Sequence, residues 1–434
     1  MTHAADGMPG RNADDTFAAV CPTPDLAEPG SPPASADAPV AAVERLTLLD
    51  ALRGFALAGV LLANLRDYSL YGLLDDDRRA QLATAPWDHW LDAAVDLLVS
   101  GKAMTLFALL FGVGFALQLS RTPDAAGRWR FARRMLALFA LGTLHAWLFW
   151  WGDILRYYAL LGLLLLACHR WPARWLVWSG LFVTLLATSL LHPFMTGWSS
   201  RFGDGAAIAA RALEAFSHGD WLQVVQANFA RDVYWHLATW SLVFFTLGRL
   251  LLGAGIGRTG WLTAAAAHRR QWLAVLRWCL PLGLLLTLFF LLQDRGLVAR
   301  WMFGLEGMPA RMLSRLLRNT AYLATGLGYL AAFVLAWLQP RWRSRLALFA
   351  PLGRMALTHY VTQTVVGVWL FYGMGLGIGP RFGIPGVLLA FALVFAAQLW
   401  ISRWWLARFR FGPLEWAWRS LTYLRPQPMR MAQA

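Results

Sequence analysis

The chain has 434 residues, of which 58% are hydrophobic and only 15% charged, with a mean hydropathy of +0.47. A soluble chain carries about 25% charged residues, so this composition excludes an ordinary water-soluble domain. The formal net charge of +15 would suggest a nucleic-acid partner in a soluble protein, but here the arginines sit in short loops between apolar runs, where positive charge sets membrane orientation, and no nucleic acid is expected.

Residues 1–45 are rich in Ala, Pro and Asp and read as a disordered, mildly acidic tail. Ten apolar runs follow, at about 48–65, 103–120, 135–151, 153–168, 174–192, 235–257, 272–292, 319–339, 352–373 and 383–404. Each is long enough to be read as a spanning helix. The fold class expected is all-α: a polytopic transmembrane helix bundle of about ten spans over 46–408, with 91–101 lengthening the second helix or lying in the interface. Basic loops such as "SRTPDAAGRWRFARR", with five arginines and one acid, then all fall on one side, which places both termini in the cytoplasm. The external segment 293–318 is itself basic, carrying Arg295, Arg300, Arg311, Arg315 and Arg318, and runs against that orientation. Residues 409–434 contain "FRFGPLEWAWRSLTYLR", where tryptophan and arginine alternate as in a cytoplasmic interfacial helix. Glu415 and Arg419 stand there at i, i+4. Cys21, Cys168 and Cys279 are scattered, with no CxxC and no His/Cys spacing for zinc, so neither a disulfide framework nor a metal is expected.

Polar residues within apolar runs need a reason, because a charge at the bilayer centre costs about 2.5–3.5 kcal/mol even on lenient scales. "LHAWLFWWGDILRYYALLG" holds His145, Asp153 and Arg156. A carboxylate beside an imidazole would hold its tautomer and raise its basicity, as a general base requires. The alternative is that His145 bonds a backbone carbonyl while Asp153 caps the next helix. In "LLDALRGFALAGVLLANL", Asp50 and Arg53 share a face at i, i+3 and can pair, while Gly54 and Gly59 admit a close neighbour. Lys102, the one lysine, precedes Gly112 and Gly114; it would either snorkel to headgroups or contact substrate. "LGRMALTHYVTQTVV" carries Arg354, His359, Tyr360 and Gln363, with His359 and Gln363 at a spacing suited to tying helices together.

Taken in order, "LLDALRGFALAGVLLANL", "GKAMTLFALLFGVGFALQL", "LHAWLFWWGDILRYYALLG", "GRMALTHYVTQT" and "GPLEWAWR" resemble the signature blocks of the bacterial YeiB-like membrane proteins, a family named for a domain of unknown function. The resemblance covers about residues 45–425. It carries Asp50, Arg53, Gly54, Lys102, His145, Gly152, Asp153, Tyr158, Gly353, Arg354, Tyr360, Gly412, Pro413, Glu415, Trp416 and Arg419 onto the pattern, while His359 stands where the pattern has Asn. The first block and helical layout are in turn distantly similar to the transmembrane acyltransferases, which include heparan-glucosaminide acetyltransferases and bacterial O-acetyltransferases. That similarity implies a multi-pass protein of the bacterial cytoplasmic membrane with no bound cofactor and acyl-coenzyme A as co-substrate. It would move an acyl group from the cytoplasm to a carbohydrate or lipid acceptor at the outer face. His145, Asp153 and Lys102 would then be catalytic, Arg53, Arg354 and Arg419 would hold coenzyme A phosphates, and Asp50, Glu415 and Tyr360 would be structural polar residues. Two other readings stand beside it. A transporter for a small polar or lipid-like molecule would use the same charges, although no inverted repeat is visible; in a non-catalytic scaffold every polar residue would be a helix tie.

Overall fold

The computed structural model describes residues 47–121, 123–238, 240–298 and 305–431; the expected tail of residues 1–45 lies outside the described residues. Among the described residues the regular elements are helices, and the β contact is an isolated bridge between Phe409 and Arg430. In chain order they are α1 Thr47–Tyr68, α2 Asp76–Ala80, α3 Ala85–Leu98, α4 Lys102–Arg121, α5 Ala125–Leu148 and α6 Leu155–Ala167. Then come α7 Ala173–Leu181, running through a π-helical stretch into α8 Thr188–Ser199, and α9 Gly205–His218, α10 Trp221–Ala238, α11 Ser241–Thr259 and α12 Arg269–Asp294. The last six are α13 Gly307–Trp337, α14 Pro340–Leu346, α15 Ala350–Arg354, α16 Ala356–Phe371, α17 Gly383–Leu406 and α18 Pro413–Tyr423.

Among the described residues, seven helical stretches are long and apolar enough to cross a membrane: Thr47–Tyr68, Ala85–Arg121, Ala173–Leu191, Leu242–Thr259, Arg269–Asp294, Gly307–Trp337 and Gly383–Leu406. The windows in α12 and α17 have hydropathies of 2.1 and 2.2, yet only 17% and 22% of each is buried. Leu285, Leu389, Leu393 and Trp400 point outward from them. Faces this apolar are stable against lipid rather than water, and the chain is an integral membrane protein.

The other three expected runs form α5, α6 and α16, which lie outside that set. With 13 and 16 residues, α6 and α16 are about 20 and 24 Å long, against a hydrocarbon core of about 30 Å. The first turns of α5 carry Arg128, Arg130, Arg133 and Arg134, so its apolar part begins only at Met135. Of these, α5 packs on α6, α10 and α18, and α16 packs on α18, while Leu136 and Leu144 of α5, Leu160 and Leu164 of α6 and Trp369 of α16 point outward. Residues 91–98 belong to α3, and a turn over 99–101, with Gly101 at positive φ, separates it from α4.

Around this group, α1 is the central element, packed on α4, α15, α16 and α17. Its closest approach is to α15: a Cβ on Gly54 would collide with the Phe349 carbonyl, and one on Gly353 with the Asp50 carbonyl. That crossing joins the first sequence block to the fourth. A similar interlock at Gly112 and Gly253 brings α4 against α11.

Candidate functional site

His145 lies in the last turn of α5, and Asp153 lies just before α6. The turn between them reverses the chain, so the helix ends meet and the His145 Nδ1 to Asp153 Oδ1 distance is 2.9 Å. Both side chains are buried, at 3% and 1% exposure. An ionised carboxylate accepts only, so Nδ1 carries the ring proton and donates, leaving Nε2 as a bare acceptor. That Nε2 is buried and has no hydrogen-bond partner in the protein. The second oxygen of Asp153 accepts the Arg156 backbone amide at 3.0 Å in the first turn of α6, so one carboxylate does both jobs expected of it: it orients the imidazole and caps a helix. Gly142 makes this closeness possible. A Cβ there would lie 2.9 Å from the Asp153 Oδ2, the Arg156 amide nitrogen and the Leu155 Cβ.

Helix α10 packs against α5 and over the α5–α6 turn. The Arg156 guanidinium donates to both oxygens of Asp232, from Nη1 at 2.8 Å and from Nη2. Trp147 Nε1 donates to the same carboxylate at 3.1 Å, and His236 Nδ1 lies 3.0 Å from it. Burial alone would push the Asp232 carboxyl up, but its bonds to Arg156 and His236 outweigh this and hold it down at about 2. Asn228 Oδ1 accepts the Trp151 amide at 3.2 Å, fixing α10 over the turn. An open cleft of about 580 Å³ between α9 and α10 is lined by Arg211, Glu214, His218 and Gln223 among others; none of its lining residues belongs to the dyad.

Tyr360 on α16 closes another side. Its ring centroid is 5.2 Å from that of His145, and its hydroxyl accepts the Ile154 amide at 3.3 Å. Three residues earlier, the N-terminus of α16 is capped from a distant part of the chain. Glu415 Oε1 accepts the Leu357 and Thr358 amides at 2.6 and 3.1 Å, and Oε2 accepts the Thr358 hydroxyl at 2.6 Å. Burial raises the Glu415 carboxyl above its ordinary range, although these bonds draw it back. The helix α18 that presents Glu415 is fixed to α5 by Trp418, whose Nε1 donates to the Arg134 carbonyl at 2.7 Å while Arg134 lies over its ring at 4.2 Å.

The remaining expected residues divide by location. Asp50 and Arg53 pair at 3.2 Å as their spacing requires. Arg354 follows Gly353 at the α1–α15 crossing and donates to the Arg410 carbonyl at 3.4 Å, and Arg419 stacks on Phe411 at 4.5 Å. The chain therefore brings the three arginines to one end of the bundle. Lys102 neither snorkels nor meets the dyad. It is fully buried, donates to the Asp96 carbonyl at 2.5 Å and faces the Tyr322 ring at 5.3 Å, which clamps the end of α3 to the start of α4. His359 and Gln363 tie α16 to α17 through Ser402 at 2.6 Å and Gln398 at 2.9 Å.

Two residues that complete the interior carry weak sequence signals. Asp232 lies on α10, outside the motifs singled out above, and nothing in its spacing points to Arg156. Arg249 is a solitary charge within "SLVFFTLGRLLLGAG", which marks it as a residue needing an explanation; it is fully buried in α11.

Residues 256–425 match the family model described as "Protein of unknown function (DUF418)". The Bacillus subtilis protein YxaH is 30% identical over 412 residues, covering 89% of this chain and 96% of its own. Escherichia coli YeiB is 32% identical over 410 residues, covering 88% and 97%, and a 39.9 kDa protein from the amylase 3' region of Bacillus acidopullulyticus is 28% identical over 413 residues, covering 90% and 97%. No solved structure matches the chain. These relatives match this chain over nearly their whole length, and the chain belongs to the YeiB-like family of membrane proteins that carry the DUF418 region.

Proposed function

We propose that this protein is a membrane acyltransferase that moves an acyl group from cytoplasmic acyl-coenzyme A to a hydroxyl or amine of a carbohydrate or lipid acceptor. The observation that carries the reading is the buried, unpartnered Nε2 of His145 on a ring whose Nδ1 is held by buried Asp153. In the reaction, Nε2 takes the proton from the acceptor as its oxygen or nitrogen attacks the thioester carbonyl. The C–S bond breaks, the coenzyme A thiolate leaves, and the imidazolium returns the proton to sulfur. Asp153 stabilises the imidazolium between these steps. Lys102 donates one bond to the Asp96 carbonyl and is given no part in this step.

The donor side is supported by proximity along α16. The Glu415-capped turn at Leu357–Thr358 and Tyr360 beside His145 are two to three residues apart, or about 3–5 Å of helical rise. A donor held by Arg53, Arg354 and Arg419 at that end would therefore have little depth to cross. The test is thermal unfolding of the purified protein with acetyl-coenzyme A, longer acyl-coenzyme A species and free coenzyme A. A ligand at about 100 times its Kd stabilises by about 2.7 kcal/mol. A saturable shift lost in Arg53→Ala and Arg354→Ala supports the donor site, and acceptor acylation lost in His145→Ala then supports the chemistry. No shift with any coenzyme A species overturns the proposal.

A further inference from the structure

We propose that Arg249 and Tyr158 form an internal binding site for the oxyanion head of an amphiphile, a carboxylate or phosphate carried on an apolar tail. Arg249 is the ninth residue of the 19-residue α11, in the middle of the candidate span Leu242–Thr259, and is completely buried. Its Nε donates to Thr105 Oγ1 at 2.8 Å, its Nη1 to the Phe245 carbonyl at 2.8 Å, and the guanidinium lies over the Phe245 ring at 3.3 Å. The Thr105 hydroxyl donates in turn to the Gly101 carbonyl at 2.7 Å, so it orients Arg249 and has no proton left for a ligand. Nη2 of Arg249 has no partner.

The bonds of Arg249 go to a hydroxyl and a carbonyl, neither of them a carboxylate, and α11 packs on α6, where Tyr158 shares a buried apolar cluster with Leu250 and Leu251. A guanidinium in a membrane interior ordinarily meets a carboxylate, a carbonyl array or water-filled space. Tyr158 supplies the second, independent observation. It is 1% exposed, its ring stacks on Phe111 at 5.1 Å, and its hydroxyl also has no partner. Two buried donors without partners, one of them charged, therefore stand on the adjacent helices α6 and α11. A single oxyanion would satisfy both, and arginine binds carboxylate or phosphate oxygens in preference to neutral acceptors. The surroundings specify the tail: Ala108, Leu250 and Leu251 are buried in the same apolar cluster as Tyr158. The site uses neither His145 nor Asp153, so it stands independently of acyl transfer.

The test uses the full chain in a neutral maltoside detergent, with thermal unfolding followed as dodecanoate or dodecyl phosphate is added. Dodecanol is the uncharged control, and acetate and inorganic phosphate are the tail-less arms. A saturable rise with the anionic amphiphiles alone is expected. It should be weakened at least tenfold in Tyr158→Phe, lost in Arg249→Gln, partly kept in Arg249→Lys and unchanged in His145→Gln. If Arg249→Gln fails to fold, Tyr158→Phe and Arg249→Lys decide. An equal rise with dodecanol, or wild-type binding in Tyr158→Phe and Arg249→Lys alike, overturns the site, as does no rise with any anion. An equal rise with acetate or inorganic phosphate overturns the amphiphile and assigns the site to a free anion.

Discussion

Replacing Gly142 by alanine tests how the dyad is held. The added Cβ would stand 2.9 Å from three atoms: the Asp153 Oδ2, the Arg156 amide nitrogen and the Leu155 Cβ. Heavy atoms at an apolar contact prefer about 3.5–4.0 Å, so α5 and α6 must part by about half an ångström or more at that point. One bond crosses the same gap, from His145 to Asp153 at 2.9 Å, and parting would bring it to the edge of hydrogen-bond range. Overpacking of this kind costs about 1–3 kcal/mol, and losing that bond to the carboxylate adds about 1.5–3 kcal/mol. Gly142→Ala should therefore unfold measurably earlier than wild type in a thermal or denaturant series in detergent, and its acyl transfer should fall further than its stability. A Gly142→Ala protein that unfolds with the wild type and keeps its full rate would refute the account of the α5–α6 contact.

The other predictions follow from the same geometry. Asp153→Asn should lower acyl transfer by about 10²–10⁴-fold, because an amide no longer fixes the tautomer that leaves Nε2 bare; equal rates would dismiss the dyad. Asp232 is held down at about 2 from an ordinary value of 3.8, so its ionised form stabilises the fold. That contribution, about 2 kcal/mol, is complete above pH about 4 and disappears as pH falls towards about 2. Asp232→Asn should flatten this part of the pH–stability curve, measured by unfolding midpoints between pH 2 and 6. Glu415→Ala should cost about 2 kcal/mol through the loss of the α16 cap, with Glu415→Gln intermediate because one amide oxygen still accepts. Unchanged unfolding midpoints in both variants would show that α16 does not depend on α18.

Hydropathy is a local quantity, and what depends on local quantities was legible in the chain. The all-helical membrane class, the Asp50–Arg53 pair at i, i+3 and the capping capacity of Asp153 each rest on residues within one turn of each other. The apolar runs were legible too, but not the lengths of the helices they form. Apolarity records that a helix avoids water, whereas its length depends on where the fold ends it, and α6 and α16 are apolar yet run for only 13 and 16 residues. The partners at the site lay beyond any spacing rule. Asp232 meets Arg156 across 76 residues, and Glu415 caps a helix 57 to 58 residues before it. His145 and Asp153 are eight residues apart, yet the turn between them breaks helical periodicity, so only the folded chain decides that they face each other. Sequence marked the side chains that are expensive to bury; tertiary structure decided which of them found partners and which, at His145, Tyr158 and Arg249, keep an atom free.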